Sequence, residues 1–226
     1  MNSILNTLMS LAAAGTMMFS QGVDLAAPQH DIDGDLFLIN RQWRVSKLYI
    51  PAPMRQAEVP GQVRTMDEEA AAALEEMYAA CRAEGKITLT SVSGYRSYNK
   101  QNTLYNNKLK RVGSKAKADE YVARPGASEH QLGLAMDVGQ KGKVNLSEAF
   151  AKYGGGKWLR ENCWKYGFII RYDQGWQDVT GYAYEPWHIR YVGKEHAAAI
   201  HELNIPLETY LLQLREETLL DILQGE

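Results

Sequence analysis

Charge of one sign never accumulates in this sequence. Its 25 Lys and Arg residues and 27 Asp and Glu residues nearly cancel, to a formal net charge of −2, and no long run of either sign occurs. A dedicated nucleic-acid binder needs a basic stripe to displace counterions from phosphates, so no nucleic acid partner is expected. Cysteine is scarce as well. Cys81 and Cys163 are the two present; both fall on apolar faces of predicted helices and read as small buried hydrophobes, with a disulfide between them as the alternative. Internal repeats and low-complexity segments are missing. No Lys or Arg precedes Arg41, so the basic start of an ordinary export signal is lacking. Residues 4–19 nevertheless form an apolar stretch near the length of a signal core and short for a membrane span. Residues 1–22 are read as a leader-like segment favouring export, which leaves membrane attachment open; a buried N-terminal helix is the plainer alternative.

What is present is the balance of an ordinary globular protein: 45% apolar and 23% charged residues in a chain of 226, enough to bury one core with decorated ends. Residues 23–62, rich in Gly, Pro and polar residues, read as an arm; 63–210 as the main domain; 211–226 as a helical tail. Thr65-Met-Asp-Glu68 fits a capping box, and Leu74, Met77, Tyr78 and Cys81 recur at helical spacing up to a stop at Gly85. Ile87–Val92 alternates and is rich in β-branched residues, which predicts a strand. Helices are predicted over 97–111, 157–166, 194–204 and 207–223, and strands over 168–172 and 187–192. Helices and strands mix without a regular βαβ period, so the fold class is α+β: a single domain with a small antiparallel sheet and flanking helices.

Two constellations carry chemistry. In Ser128-Glu-His130-Gln-Leu-Gly133-Leu-Ala-Met-Asp137 a His and a carboxylate are separated by seven positions. An unbroken helix would hold them about 10 Å apart along its axis, and an ideal strand would point them to opposite faces. A turn at Gly133 would let them meet. In Glu185-Pro-Trp-His188, Pro186 opposes a helix interior, so Glu and His should leave a loop that enters a strand. Two His and one Asp would give zinc three protein ligands and leave a fourth position open, as in catalytic sites. Taken singly, each His is more often structural, and Glu-x-x-His is common by chance. An Asp inside Leu-Ala-Met-Asp-Val differs, because a buried carboxylate needs a partner charge or a metal. His30, His196 and His201 have no such company and are read as structural or surface residues.

From about Leu36 to Tyr210 the chain resembles the VanY-type D-alanyl-D-alanine carboxypeptidases, zinc peptidases of the group that includes lysostaphin-like enzymes and hedgehog domains. The resemblance runs in family order through Ser93-Gly-Tyr-Arg-Ser-Tyr98, Arg124–Val138, Gly156-Lys-Trp-Leu159, Lys165–Tyr172 and Tyr184–Gly193. It implies one catalytic Zn²⁺ held by His130, Asp137 and His188. It implies Glu185 as the base that takes a proton from the attacking water and hands it to the leaving amine, and Arg96 as the catalytic arginine facing the substrate carbonyl or carboxylate. Gln101 and Ser128 match positions near the substrate peptide, and Tyr184 and Trp187 flank the motif as candidate cleft residues. The implied function is removal of C-terminal D-alanine from peptidoglycan stem peptides or muropeptides by an extracytoplasmic monomer. A zinc-containing wall-binding module without catalysis and a peptidoglycan endopeptidase are the competing readings, and D,D- and L,D-specificity both stay open.

Overall fold

The computed structural model describes residues 34–51 and 53–224; the leader-like segment 1–22 and the start of the arm lie outside them. A short hairpin of β1 (Met54–Gln56) and β2 (Thr65–Asp67) leads into α1 (Glu68–Gly85). Here the sequence expectation is corrected. Asp67, not Thr65, caps α1, its carboxylate accepting from the backbone N–H groups of Glu69 and Ala70, because Thr65 is taken up by strand pairing. The helix runs through Gly85, and Lys86 supplies the left-handed stop at φ 55°.

The central sheet has four antiparallel strands in the order β3 (Leu89–Ser93), β4 (Ala135–Gln140), β6 (His188–Tyr191), β5 (Phe168–Ile170). Between them run α2 (Tyr98–Val112), capped by Ser97, then α3 (Lys115–Asp119) and α4 (Gly154–Asn162), which tightens into a 3₁₀ turn that Gly167 ends at φ 84°. The predicted helix over 157–166 is thus two elements. It begins earlier than expected because Gly156 lets it pack tightly: a methyl group there would sit 2.1 Å from the Phe150 carbonyl oxygen. The short α5 (Gln177–Thr180), α6 (Lys194–Leu203) and α7 (Leu207–Gln224) complete the chain; α7 is continuous across position 210.

The two-residue period of the strands separates the faces of this sheet. Met136 and Val138 of β4, with Ile189 and Tyr191 of β6, enter the main core beside Leu74, Met77 and Cys81 of α1. The alternating positions Asp137, His188 and Arg190 fall on the opposite face and are buried there as well. A second core joins Leu38 of the arm to Ile169, Val192, Ile200, Leu207 and Tyr210, so the arm and α7 close over the end of the sheet. Cys81 and Cys163 are both free and buried. The mixed α+β reading with a small antiparallel sheet holds.

Candidate active site

The predicted turn is present. Residues Glu129–Leu132 form a single 3₁₀ turn, Gly133 follows at φ 78°, and the chain reverses into β4. This places His130 over Asp137. The strand register places His188 directly opposite Asp137 on β6. His130 Nε2 lies 3.2 Å from Asp137 Oδ2, and His188 Nδ1 lies 3.0 Å from Asp137 Oδ1. The two rings stand nearly perpendicular, at 88°.

The outer atoms of these rings are held from behind. The Gly94 carbonyl oxygen lies 2.9 Å from His130 Nδ1, which favours the Nδ1–H tautomer and leaves the Nε2 lone pair for a metal beside Asp137. A methyl group at Gly94 would lie 2.5 Å from the Thr65 carbonyl oxygen, so only glycine lets this backbone approach. His188 Nε2 faces Glu129 Oε2 at 3.7 Å, and neither atom has a hydrogen-bond partner.

These donors fit a metal. Ligand atoms of His130, Asp137 and His188 all lie within 4.8 Å of one another. A tetrahedral ion with bonds near 2.1 Å sets its ligands about 3.4 Å apart, close to the distances above. Two imidazoles and one carboxylate suit zinc and leave a coordination position for substrate chemistry.

The electrostatics separate the roles. Burial depresses His130 to about 4, keeping it a neutral donor. Burial also opposes charge on His188, but its contacts with Asp137 and Glu129 prevail and raise it to about 9. Asp137 is penalised by burial yet held well below the usual carboxylate range by the two histidines. Glu185, 9% exposed, moves the other way: burial pushes its carboxyl up to about 8. Its Oε2 lies 4.0 Å from His188 Nδ1.

Arg96 reaches the same centre. Its Nη1 donates to Gln101 Oε1 at 2.7 Å, Nη2 donates to Ser93 Oγ at 2.8 Å, and Nη2 stands 3.6 Å from Asp137 Oδ2. Gln101 in turn donates to the Ala123 carbonyl at 2.6 Å. Gln101 is thus a buried brace for Arg96 as well as a wall of the cleft.

A cavity of about 590 Å³ opens onto the centre, and Arg96, Gln101, Ser128, Glu185 and Trp187 line it together with the three candidate ligands. Tyr184 is not brought there. Its hydroxyl lies 3.5 Å from Arg160 Nη1, and its side chain lines a separate cavity of about 90 Å³. Sequence reasoning passed over Glu129, Arg171, Arg190 and Glu208, a buried ion-pair group beside His188. Glu129 adjoins His130 in sequence, Arg171 directly follows the apolar strand β5 and Arg190 lies within β6, but nothing local to any of them names its partner.

Residues 63–194 match the family model described as VanY, D-alanyl-D-alanine carboxypeptidase. The Bacillus subtilis protein YodJ, named as a carboxypeptidase, is 43% identical over 188 residues, covering 80% of this chain and 68% of that protein. The solved structure of the LdcB LD-carboxypeptidase matches with a TM-score of 0.74 at 42% identity, over 80% of this chain and 87% of that one. A vancomycin-resistance D,D-pentapeptidase VanY variant in complex with Zn(II) matches with a TM-score of 0.67 at 35% identity, over 78% and 98%.

Proposed function

Since the chain belongs to the VanY D-alanyl-D-alanine carboxypeptidase family, whose chemistry is that of a zinc metallocarboxypeptidase, we propose that it removes the C-terminal D-alanine of peptidoglycan stem peptides, with His130, Asp137 and His188 as the zinc ligands. The observation that carries this reading is the convergence of two histidines on the buried Asp137, with the free carboxyl of Glu185 beside them in one cleft. Zinc, when bound, supplies a Lewis acid for the scissile carbonyl and brings the pKa of water down to about 7.

Glu185 is the general base. Burial raises the Glu185 carboxyl toward neutrality, so its ionised form is a stronger base for the proton of the attacking water, and the acid so formed can deliver that proton to the nitrogen of the departing D-alanine as the C–N bond breaks. Arg96, braced by Ser93 and Gln101, presents a permanent cation where the terminal carboxylate or the developing oxyanion would sit. Ser128 and Trp187 line the space left for the peptide. Tyr184 has no role in this reading.

The complete constellation lies within one chain, which supports action as a monomer. A substrate in the cell wall and the apolar stretch at residues 4–19 support an extracytoplasmic location and passage of residues 1–22 as a leader. Among the described residues, no helix is long and apolar enough to cross a membrane. Residues 63–210 carry the sheet and the cleft and are taken as the catalytic unit.

The test is mass spectrometry of defined tetrapeptide and pentapeptide muropeptides incubated with zinc-loaded protein, with a chelated control. Loss of one alanine only with zinc establishes the reaction, and the reacting peptide assigns L,D- or D,D-specificity. No mass change on either peptide, with zinc bound, would favour the binding module or an endopeptidase that needs a cross-linked substrate.

A further inference from the structure

Beside His188, four charged side chains form a buried chain of ion pairs that runs from Glu129, at the wall of the cleft, to α7. The side chains of Glu129, Arg171 and Arg190 are 0% exposed and that of Glu208 is 11% exposed. Glu208, at the start of α7, accepts from both terminal nitrogens of Arg171, at 2.9 and 2.6 Å. Arg171 Nε donates to Glu129 Oε1 at 2.8 Å, and Arg190 Nη1 donates to the same oxygen at 3.0 Å. Arg190 is anchored in turn by the arm, its Nη2 donating to the carbonyls of Asp35 and Phe37 at 2.7 and 2.9 Å.

Burying four charges is costly, and such groups often add little stability over an apolar replacement. The direction in which this chain ends says what it does. Two guanidinium groups occupy Glu129 Oε1, while Oε2 has no hydrogen-bond partner and looks at His188 Nε2, itself without one, across 3.7 Å. A carboxylate oxygen can only accept, so this geometry reserves it for an Nε2–H donor.

We propose that Glu208, acting through Arg171 and Glu129, is a positioning residue for His188, holding a proton on Nε2 so that Nδ1 is the nitrogen left for the metal that it would share with Asp137. The inference rests on His188 being a zinc ligand. It extends the functional unit to α7, since Glu208 lies beyond the residues 63–194 that match the family. The physical sequence is continuous: Glu208 fixes the roll of the Arg171 guanidinium, Arg171 fixes the Glu129 carboxylate, and Glu129 fixes the ring.

The experiment compares the full chain with its Glu208→Gln variant, which keeps the shape but cannot pair both guanidinium nitrogens as an anion. Zinc affinity is read by competition with a chromophoric chelator, and the His188 ring nitrogens by ¹⁵N spectra of the zinc-loaded proteins. The wild type is expected to bind zinc through Nδ1 with a slowly exchanging Nε2–H. Glu208→Gln is expected to fold, to bind zinc on the order of tenfold more weakly, and to exchange that proton faster. Equal zinc affinity and an unchanged His188 spectrum, with only the melting temperature lowered, would overturn the inference and leave Glu208 as a packing residue. Should the variant not fold, the wild-type spectrum decides, since a proton on Nδ1 overturns the proposal as well. Absence of zinc binding by the wild type would instead overturn the ligand assignment on which the proposal stands.

Discussion

Asp137 and His188 are direct register partners across β4 and β6, their side chains 3.0 Å apart on the face of the sheet that turns away from the main core. One hydrogen-bonded ladder therefore sets both the backbone pairing and the spacing of two candidate ligands. A slip of one residue would send one of the pair into the apolar core.

Asp137→Asn should abolish the thermal shift that zinc gives the wild type. A ligand at 100 times its dissociation constant stabilises the folded state by about 2.7 kcal/mol. The variant, with no anion between the histidines, is expected to show no shift in calorimetry at the same zinc concentration. A normal shift would remove Asp137 from the ligand set.

Glu185→Gln is expected to keep zinc and fold while D-alanine release falls by roughly 10²- to 10⁴-fold, the range of a positioned general base. Steady-state rates on the reactive muropeptide measure it, and near-normal turnover would require another base.

The same substitution should behave differently in zinc-free protein. Because the folded-state pKa of Glu185 is raised to about 8, the folded chain holds a proton that the unfolded chain gives up near pH 4.5. Wild-type stability is therefore lost between those values as pH rises, by at most about 5 kcal/mol at 1.4 kcal/mol per unit. Glutamine does not titrate. Melting temperatures of the two chelated proteins should coincide near pH 4 and diverge in favour of Glu185→Gln by pH 8.

Asp119 titrates with the opposite sign. Its hydrogen bond with Arg124, with Tyr105 also donating to it, holds its carboxyl below the ordinary range despite the cost of burial. The stability it adds is present above the unfolded pKa of about 3.9 and disappears as pH falls through the lower folded value. Asp119→Asn should cost about 1 kcal/mol at pH 7 by urea denaturation, and the cost should shrink as pH falls through the lowered folded value.

Two glycines permit a control. Gly94→Ala and Gly156→Ala would each drive a methyl group against a backbone carbonyl, at 2.5 and 2.1 Å, so both should lower stability by more than about 1 kcal/mol. Only Gly94 carries the carbonyl that orients His130. Zinc affinity should fall in Gly94→Ala and stay unchanged in Gly156→Ala.

Much of this was legible from residue order. Gly133 had to turn because neither a helix nor a strand can bring His130 to Asp137, and Pro186 had to keep Glu185 out of a helix. Periodicity located α1, α2, α6 and α7 within a residue or two. It misplaced the cap of α1, because Thr65 and Asp67 are equally good caps locally and the β1–β2 pairing chose between them. Tyr184 could not be assigned a side of its loop without coordinates. The Glu129–Arg171–Glu208 chain was illegible for a related reason: its members lie tens of residues apart, and no local rule pairs a charge with a partner that only the folded sheet and α7 bring near.

Both thiols of the molecule are free and lie inside the core. Burial raises the thiol of Cys81 to about 11 and that of Cys163 to about 12, so at neutral pH almost no thiolate is available to an oxidant or alkylating reagent. The chain needs no oxidising environment to reach its fold and forms no mispaired crosslinks while in it. A cysteine introduced at Asn107, an exposed position of α2 that lines the cleft, would be the one thiol that a maleimide dye finds, giving a single-site optical reporter at the cleft without first removing the native pair.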